Sequence, residues 1–128
     1  MSLRVYLSGG EWDGKNSSKV DYYDIRSRKW VKAPSLNRAR KVHSSCCSRM
    51  HLSVFAGYGA EGSIELLHVE KSQRWEIVAQ SRAFNSLSNV AMTALNDKTL
   101  ALFGGINLDD YSHSENGFLV DAEARSVK

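Results

Sequence analysis

The sequence predicts an all-β fold built from repeated antiparallel units of four strands. A β-rich run that ends in small residues occurs three times, with 47 residues from Gly9 to Ala56 and 48 from Ala56 to Gly104. Tryptophans recur on a similar spacing, because Trp30 and Trp75 lie 45 residues apart and each follows a hairpin pattern. Runs rich in β-branched and aromatic residues, separated by three or four polar residues, are typical of β-hairpins.

Each repeat contains up to four predicted strands, named a to d in chain order. Strand a is predicted at 43–48 and 89–95, and strand b ends in the small residues. Strand c is followed by a polar turn and by strand d, which carries the tryptophan in the first two repeats. The first repeat lacks strand a and the third stops at about strand d. The predicted units are therefore about 3–34, 42–80 and 88–128, within a single segment 1–128.

Residues 61–71 also have a composition that suits a helix, since Ile64, Leu67 and Lys71 have helical spacing. Periodicity alone does not decide the structure of a short apolar run. The register of the repeats favours a strand there.

The amino-acid composition does not indicate a particular function. The chain has 128 residues, 42% hydrophobic and 24% charged, and a net charge of +3, which is ordinary for a soluble globular domain. The small positive excess gives no reason to expect nucleic-acid binding, and no apolar run approaches the 18 or so residues that span a bilayer. Cys46 and Cys47 are adjacent, so on a strand they point to opposite faces and are poorly placed to pair. A reducing, cytoplasmic setting is the expectation.

These motifs resemble the kelch repeat. The first repeat matches well, with Gly9-Gly10, Tyr23-Asp24, Trp30, Pro34 and Arg38 in the family's order. The second is degenerate and the third is cut short. The positions that carry the structural motif are Gly9, Gly10, Tyr23, Asp24, Trp30, Gly57, Trp75, Gly104 and Gly105.

The resemblance implies an incomplete β-propeller of about two and a half blades. Closed propellers have four to eight blades, so the blades present here do not complete a ring. Three explanations are open: a fragment of a longer gene product, assembly with copies of itself, or a small open relic of the fold. On each blade the tryptophan is expected to pack between sheets, which makes Trp30 and Trp75 predicted core residues.

No catalytic or cofactor site is predicted. The sequence has no nucleophile elbow and no P-loop, and His43, His51, His68 and His113 lack metal-ligand spacing. Galactose-oxidase-like enzymes share the fold, yet nothing here assembles their copper ligands. We therefore expect a protein that is not an enzyme and needs no cofactor. A fragment of a catalytic propeller remains an alternative.

The resemblance implies that a protein partner binds the loops between strands b and c and between d and a. The candidate contacts are Trp12, Arg38, Arg40, Tyr58 and Arg82. Arginine holds carboxylates with paired hydrogen bonds, so the arginines suggest an acidic peptide segment. Kelch proteins often carry a BTB or F-box domain, and this chain could thus be the substrate-recognition part of an adaptor. Carbohydrate binding through Trp12 and Tyr58 is a further alternative.

Overall fold

The computed structural model describes residues 3–60, 62–84 and 86–128 of the chain. Two of the predicted partner-binding loops contain Glu61 and Asn85, which lie outside these ranges. All strands below belong to the described residues. No helix in that part of the chain is long and apolar enough to cross a bilayer.

The strands follow the three repeats. The first repeat contains β1 (Arg4–Ser8), β2 (Glu11–Trp12), β3 (Lys15–Asn16), β4 (Val20–Asp24) and β5 (Lys29–Lys32). The second contains β6 (Ser44–Cys47), β7 (His51–Phe55), β8 (Ser63–His68) and β9 (Glu76–Gln80). A 3-10 helix, Arg82–Phe84, leads to the third, which contains β10 (Leu87–Ser88), β11 (Ala91–Ala94), β12 (Thr99–Phe103), β13 (Ile106–Asn107), β14 (Gly117–Asp121) and β15 (Ser126–Val127).

Each repeat forms one antiparallel sheet in chain order. The first sheet is β1-β4-β5, the second β6-β7-β8-β9 and the third β11-β12-β14-β15. The prediction of an all-β fold with four-stranded antiparallel blades is confirmed, and the run Ser63–His68 is a strand, as the repeat register indicated. In the first sheet, no strand of the described residues pairs with the outer edge of β1.

Strand b ends in small residues because another part of the backbone passes close to it. Gly57 has φ of +83°, and a Cβ added there would lie 2.5 Å from the carbonyl oxygen of Lys41. A Cβ added at Gly9 would likewise lie too close to backbone, 2.6 Å from the carbonyl oxygen of Arg40. The segment that leaves the first sheet therefore passes the ends of strands β1 and β7 at a distance that only glycine permits at these two positions.

Two apolar layers hold the three sheets together. One lies between the first and second sheets and comprises Val20, Leu36, Leu52, Val54, Leu67 and Trp75, with Tyr6 packed against it. The other lies between the second and third sheets and comprises Phe55, Ala56, Ile64, Val78, Ala79, Phe84, Leu87, Val90, Leu100, Leu102 and Val120. Phe84, on the 3-10 helix, links the two sides of the second layer through edge contacts with Phe55 and Phe118, at ring-centroid distances of 5.1 and 4.7 Å.

In the second and third sheets, side chains at equivalent strand positions face the preceding sheet. Leu52 and Val54 of β7 face the first sheet, and the equivalent Leu100 and Leu102 of β12 face the second. We call this side of a sheet its front face and the opposite side its back face. The alternation of side chains along a strand makes the two faces of each sheet distinct.

The two tryptophans of the repeats have different surroundings. Trp75 is 2% exposed within the first layer, and its indole N–H donates to the carbonyl oxygen of Pro34 at 2.7 Å. Trp30 is 60% exposed and contacts Tyr23, with 5.4 Å between ring centroids. The prediction of a core position is correct for Trp75 and wrong for Trp30, because no sheet of the described residues covers the front face of the first sheet.

Candidate partner-binding face

The loops predicted to bind a partner are joined by backbone hydrogen bonds at one end of the sheets. Arg40 N–H donates to Ser17 O at 2.9 Å, which joins the first b–c loop to the segment that leaves the first sheet. Tyr58 N–H donates to Lys41 O at 3.0 Å and joins the same segment to the second b–c loop. In the third repeat, β10 pairs with β13 in the same way. We call these loops together the loop face.

Trp12 and Tyr58 are exposed aromatic side chains on two loops that contact each other. Trp12 sits on the β2–β3 hairpin with 77% of its surface exposed, and Tyr58 is 37% exposed. The Asn16 side-chain amide of this hairpin donates to Tyr58 O at 3.0 Å. Lys41 forms an ion pair with Glu11 beside Trp12, and its ammonium lies 5.8 Å from the centroid of the Tyr58 ring. The hairpin is thereby fixed to the second loop.

Arg40 lies inside the protein and not on the loop face. Its side chain is fully buried, and its guanidinium donates to Glu65 Oε1 at 2.6 Å. It also donates to the carbonyl oxygens of Ala56 and Ser63, at 3.0 and 3.2 Å. The prediction that Arg40 contacts a partner is therefore corrected: this guanidinium satisfies backbone carbonyls at the end of strands β7 and β8. Burial lowers the pKa of Arg40, and the adjacent carboxylate of Glu65 opposes that effect.

Glu65 organises the segment that links the first two sheets. It is fully buried, and its carboxylate accepts hydrogen bonds from the backbone N–H groups of Asn37 and Arg38, at 2.7 and 3.0 Å, besides the one from Arg40. Glu65 was not among the predicted site residues. The available signal was a carboxylate within the apolar run Ile64–Leu67, where a buried charge requires a partner.

The other two predicted arginines have separate environments. Arg38 is partly buried, and its guanidinium donates to Ala60 O at 3.2 Å and Gln80 Oε1 at 3.3 Å. Arg82 is exposed on the 3-10 helix, near the loops of the third repeat. The described contacts join the hairpin of Trp12 to the loop of Tyr58 and connect neither of them to Arg82.

His43 and Cys46 are two partly buried groups whose surroundings favour their neutral forms. His43 contacts Ser8 Oγ at 3.0 Å, and burial, with a smaller effect of the Arg40 charge, lowers the pKa of this imidazole. Burial raises the pKa of the Cys46 thiol to about 11, which disfavours a thiolate nucleophile. Among the residues that the structure describes, no three His, Cys, Asp or Glu side chains cluster as metal ligands would.

Comparisons with known proteins agree with the geometry. The kelch motif matches residues 3–37. One F-box/kelch-repeat protein of Arabidopsis thaliana is 31% identical over 106 residues, which cover 81% of this chain and 27% of that protein. Another from the same plant is 35% identical over 79 residues, which cover 59% of this chain and 20% of that protein.

The chain thus spans between a fifth and about a quarter of the length of these two relatives. The kelch motif of the first repeat, the repeated antiparallel sheets and the similarity to kelch-repeat proteins together show that the chain contains a kelch motif within a run of partial kelch blades.

Proposed function

We propose that this chain is a non-catalytic binding module that holds a protein partner on its loop face, with Trp12 and Tyr58 at the centre of the contact. The observation that carries the proposal is the exposure of both aromatic side chains on loops that are fixed by backbone hydrogen bonds. Aromatic residues dominate the binding energy of protein interfaces, and a rigid loop loses little entropy when it binds. We further propose a cytoplasmic location.

The charges of the loop face change the kind of partner that we expect. Arg40 is buried and Lys41 is paired with Glu11, so neither provides a free cation for an acidic peptide. Arg82 remains exposed and can add a charged contact at the rim. We therefore propose a partner segment with an apolar or aromatic centre, and with acidic residues only at its edge.

The F-box/kelch-repeat relatives support a narrower form of the proposal. In that form, the blades recognise the protein on which a larger assembly acts. The role would be that of a substrate-recognition element in an adaptor.

The test compares partner capture by three forms of the protein. The double variant Trp12→Ala/Tyr58→Ala should lose a partner that the unchanged protein retains, because truncation of a central aromatic contact costs about 2 kcal/mol or more, roughly a 30-fold loss of affinity. Leu95→Ala is the matched control, since Leu95 is also exposed (58%) but follows strand β11 at the opposite end of the sheets.

Proteins that are captured from extracts by the unchanged chain and by Leu95→Ala are identified by mass spectrometry, and their affinities are measured by calorimetry. Partners that bind the double variant with unchanged affinity would contradict a site at Trp12 and Tyr58. Arg82→Ala should weaken binding only modestly and reduce its dependence on salt.

A further inference from the structure

The front face of the first sheet carries large apolar side chains, with Asp21 and Lys32 beside Leu7, and no sheet of the described residues covers it. Val5 is 54% exposed, Leu7 is 61% exposed and Trp30 is 60% exposed. In the strand register Val5 lies opposite Tyr23, and Tyr23 lies opposite Trp30, so the side chains form one continuous patch. Large apolar patches of this kind usually mark interaction surfaces.

The back face of the third sheet also carries exposed apolar side chains, and no sheet in the described part of the chain covers it. Phe103 of β12 is 56% exposed and Leu119 of β14 is 46% exposed. Ala101 pairs with Leu119, and Phe103 pairs with Gly117, so these residues share one side of the sheet. The opposite side of the same sheet carries Leu100 and Leu102, which are buried against the second sheet.

Front faces and back faces also meet inside the chain, where the front face of one sheet packs on the back face of the sheet before it. The front face of the second sheet, with Leu52 and Val54, packs on the back face of the first through Tyr6 and Val20. The front face of the third sheet packs in the same way on the back face of the second. Val5 and Leu7 occupy the strand-b positions of Leu52 and Val54. The uncovered faces are therefore the two halves of an interface that the chain already forms twice.

We propose that a second copy of this chain covers both faces in a head-to-tail arrangement. The front face of the first sheet in one copy packs on the back face of the third sheet in the other, and the reciprocal contact closes a ring of two copies. Such a ring contains six sheets, within the range of four to eight blades that propellers adopt. A contact between two different surfaces is heterologous, and it forms a closed particle only if the rotation completes a ring.

The first measurement is the mass of the full chain in solution. One copy has a mass of 14.3 kDa, and light scattering after size-exclusion chromatography should give twice that value across a range of protein concentrations. A monomer at high concentration would overturn the proposal and leave the two faces to blades of a longer polypeptide. A series of growing oligomers would overturn the closed ring.

Two variants test the head-to-tail geometry. Trp30→Lys places a charge on the front face, and Leu119→Lys places one on the back face. Each variant alone should be monomeric, because both contacts of its ring would then contain one altered face. When the two variants are mixed, one contact combines two unaltered faces, and the mixture should associate into particles of two chains. Trp12→Lys is the matched control, because Trp12 is more exposed (77%) but lies on the loop face, and this variant should keep the mass of two copies.

Each outcome is decisive. If Leu119→Lys alone still forms two-copy particles, or if the mixture remains monomeric, head-to-tail packing is wrong. Circular dichroism checks that each variant is folded. If either variant does not fold, Val5→Lys and Phe103→Lys repeat the experiment on the same two faces.

Discussion

Glu65 shows how one buried side chain can determine the path of a connecting segment. Its carboxylate receives the N–H groups of Asn37 and Arg38 and the guanidinium of Arg40, so three groups of the segment that leaves the first sheet point at one residue of the second sheet. This segment then supplies Lys41 to the loop face. The geometry of the proposed binding site thus depends on a residue that does not touch solvent.

The substitution Glu65→Ala should destabilise the protein by about 3–5 kcal/mol, because it leaves the buried charge of Arg40 without a partner. The free energy of unfolding, measured in urea, checks this value. Glu123→Ala is the control: it removes an exposed ion pair with Lys98, and its effect should be small by comparison. Equal losses in the two variants would contradict the role assigned to Glu65.

The sequence predicts a loop around Arg40 but does not predict that the Arg40 side chain is buried. The pattern Arg38–Arg40–Lys41 is typical of a solvated loop, and local sequence contains no sign that one of these side chains turns inward. The inward direction is set by a carboxylate 25 residues later, at Glu65. An ion pair between a connecting segment and a strand of the next sheet cannot be inferred from the neighbours of either residue.

At the scale of the element, the repeat was predictable because its signals are local. Small residues after strand b, a polar turn between strands c and d and β-branched runs each reflect the backbone geometry of a few residues. The exposure of Trp30 was not predictable in the same way, since it depends on whether another sheet lies beside it. Identical motif positions, Trp30 and Trp75, are therefore exposed in one sheet and buried in the next.

The end of strand b allows a test of why glycine is used there. Gly57→Ala should lower the free energy of unfolding by more than the roughly 1–2 kcal/mol of a left-handed backbone, because the new Cβ would also meet Lys41 O at 2.5 Å. Gly10→Ala is the control, with φ of +98° but nothing within 4 Å of the added Cβ. Chemical denaturation of both variants separates backbone strain from steric conflict, and equal losses would rule out a close approach at Gly57.

At the scale of the whole molecule, the three sheets have unequal support. The second sheet has a neighbour on both faces, whereas the first and third each have one. Among the described strands, β7 of the second sheet is paired on both edges, while β1 of the first sheet is paired on one. In repeat proteins stability comes largely from contacts between neighbouring units, so the central sheet should be the most stable part of the chain.

Amide hydrogen exchange should reveal this order. In the double variant Trp30→Lys/Leu119→Lys, in which the end faces remain uncovered, the amides of β7 and β8 should exchange most slowly and those of β1 much faster. The physical reason is that local opening needs less energy where few apolar contacts are lost, and Val5 and Leu7 are more than half exposed whereas Leu52 and Val54 are buried. Mass spectrometry of peptides from each strand measures the rates. Exchange of β1 as slow as that of β7 would show that the three sheets open only together, and that support from neighbouring sheets does not set their stability.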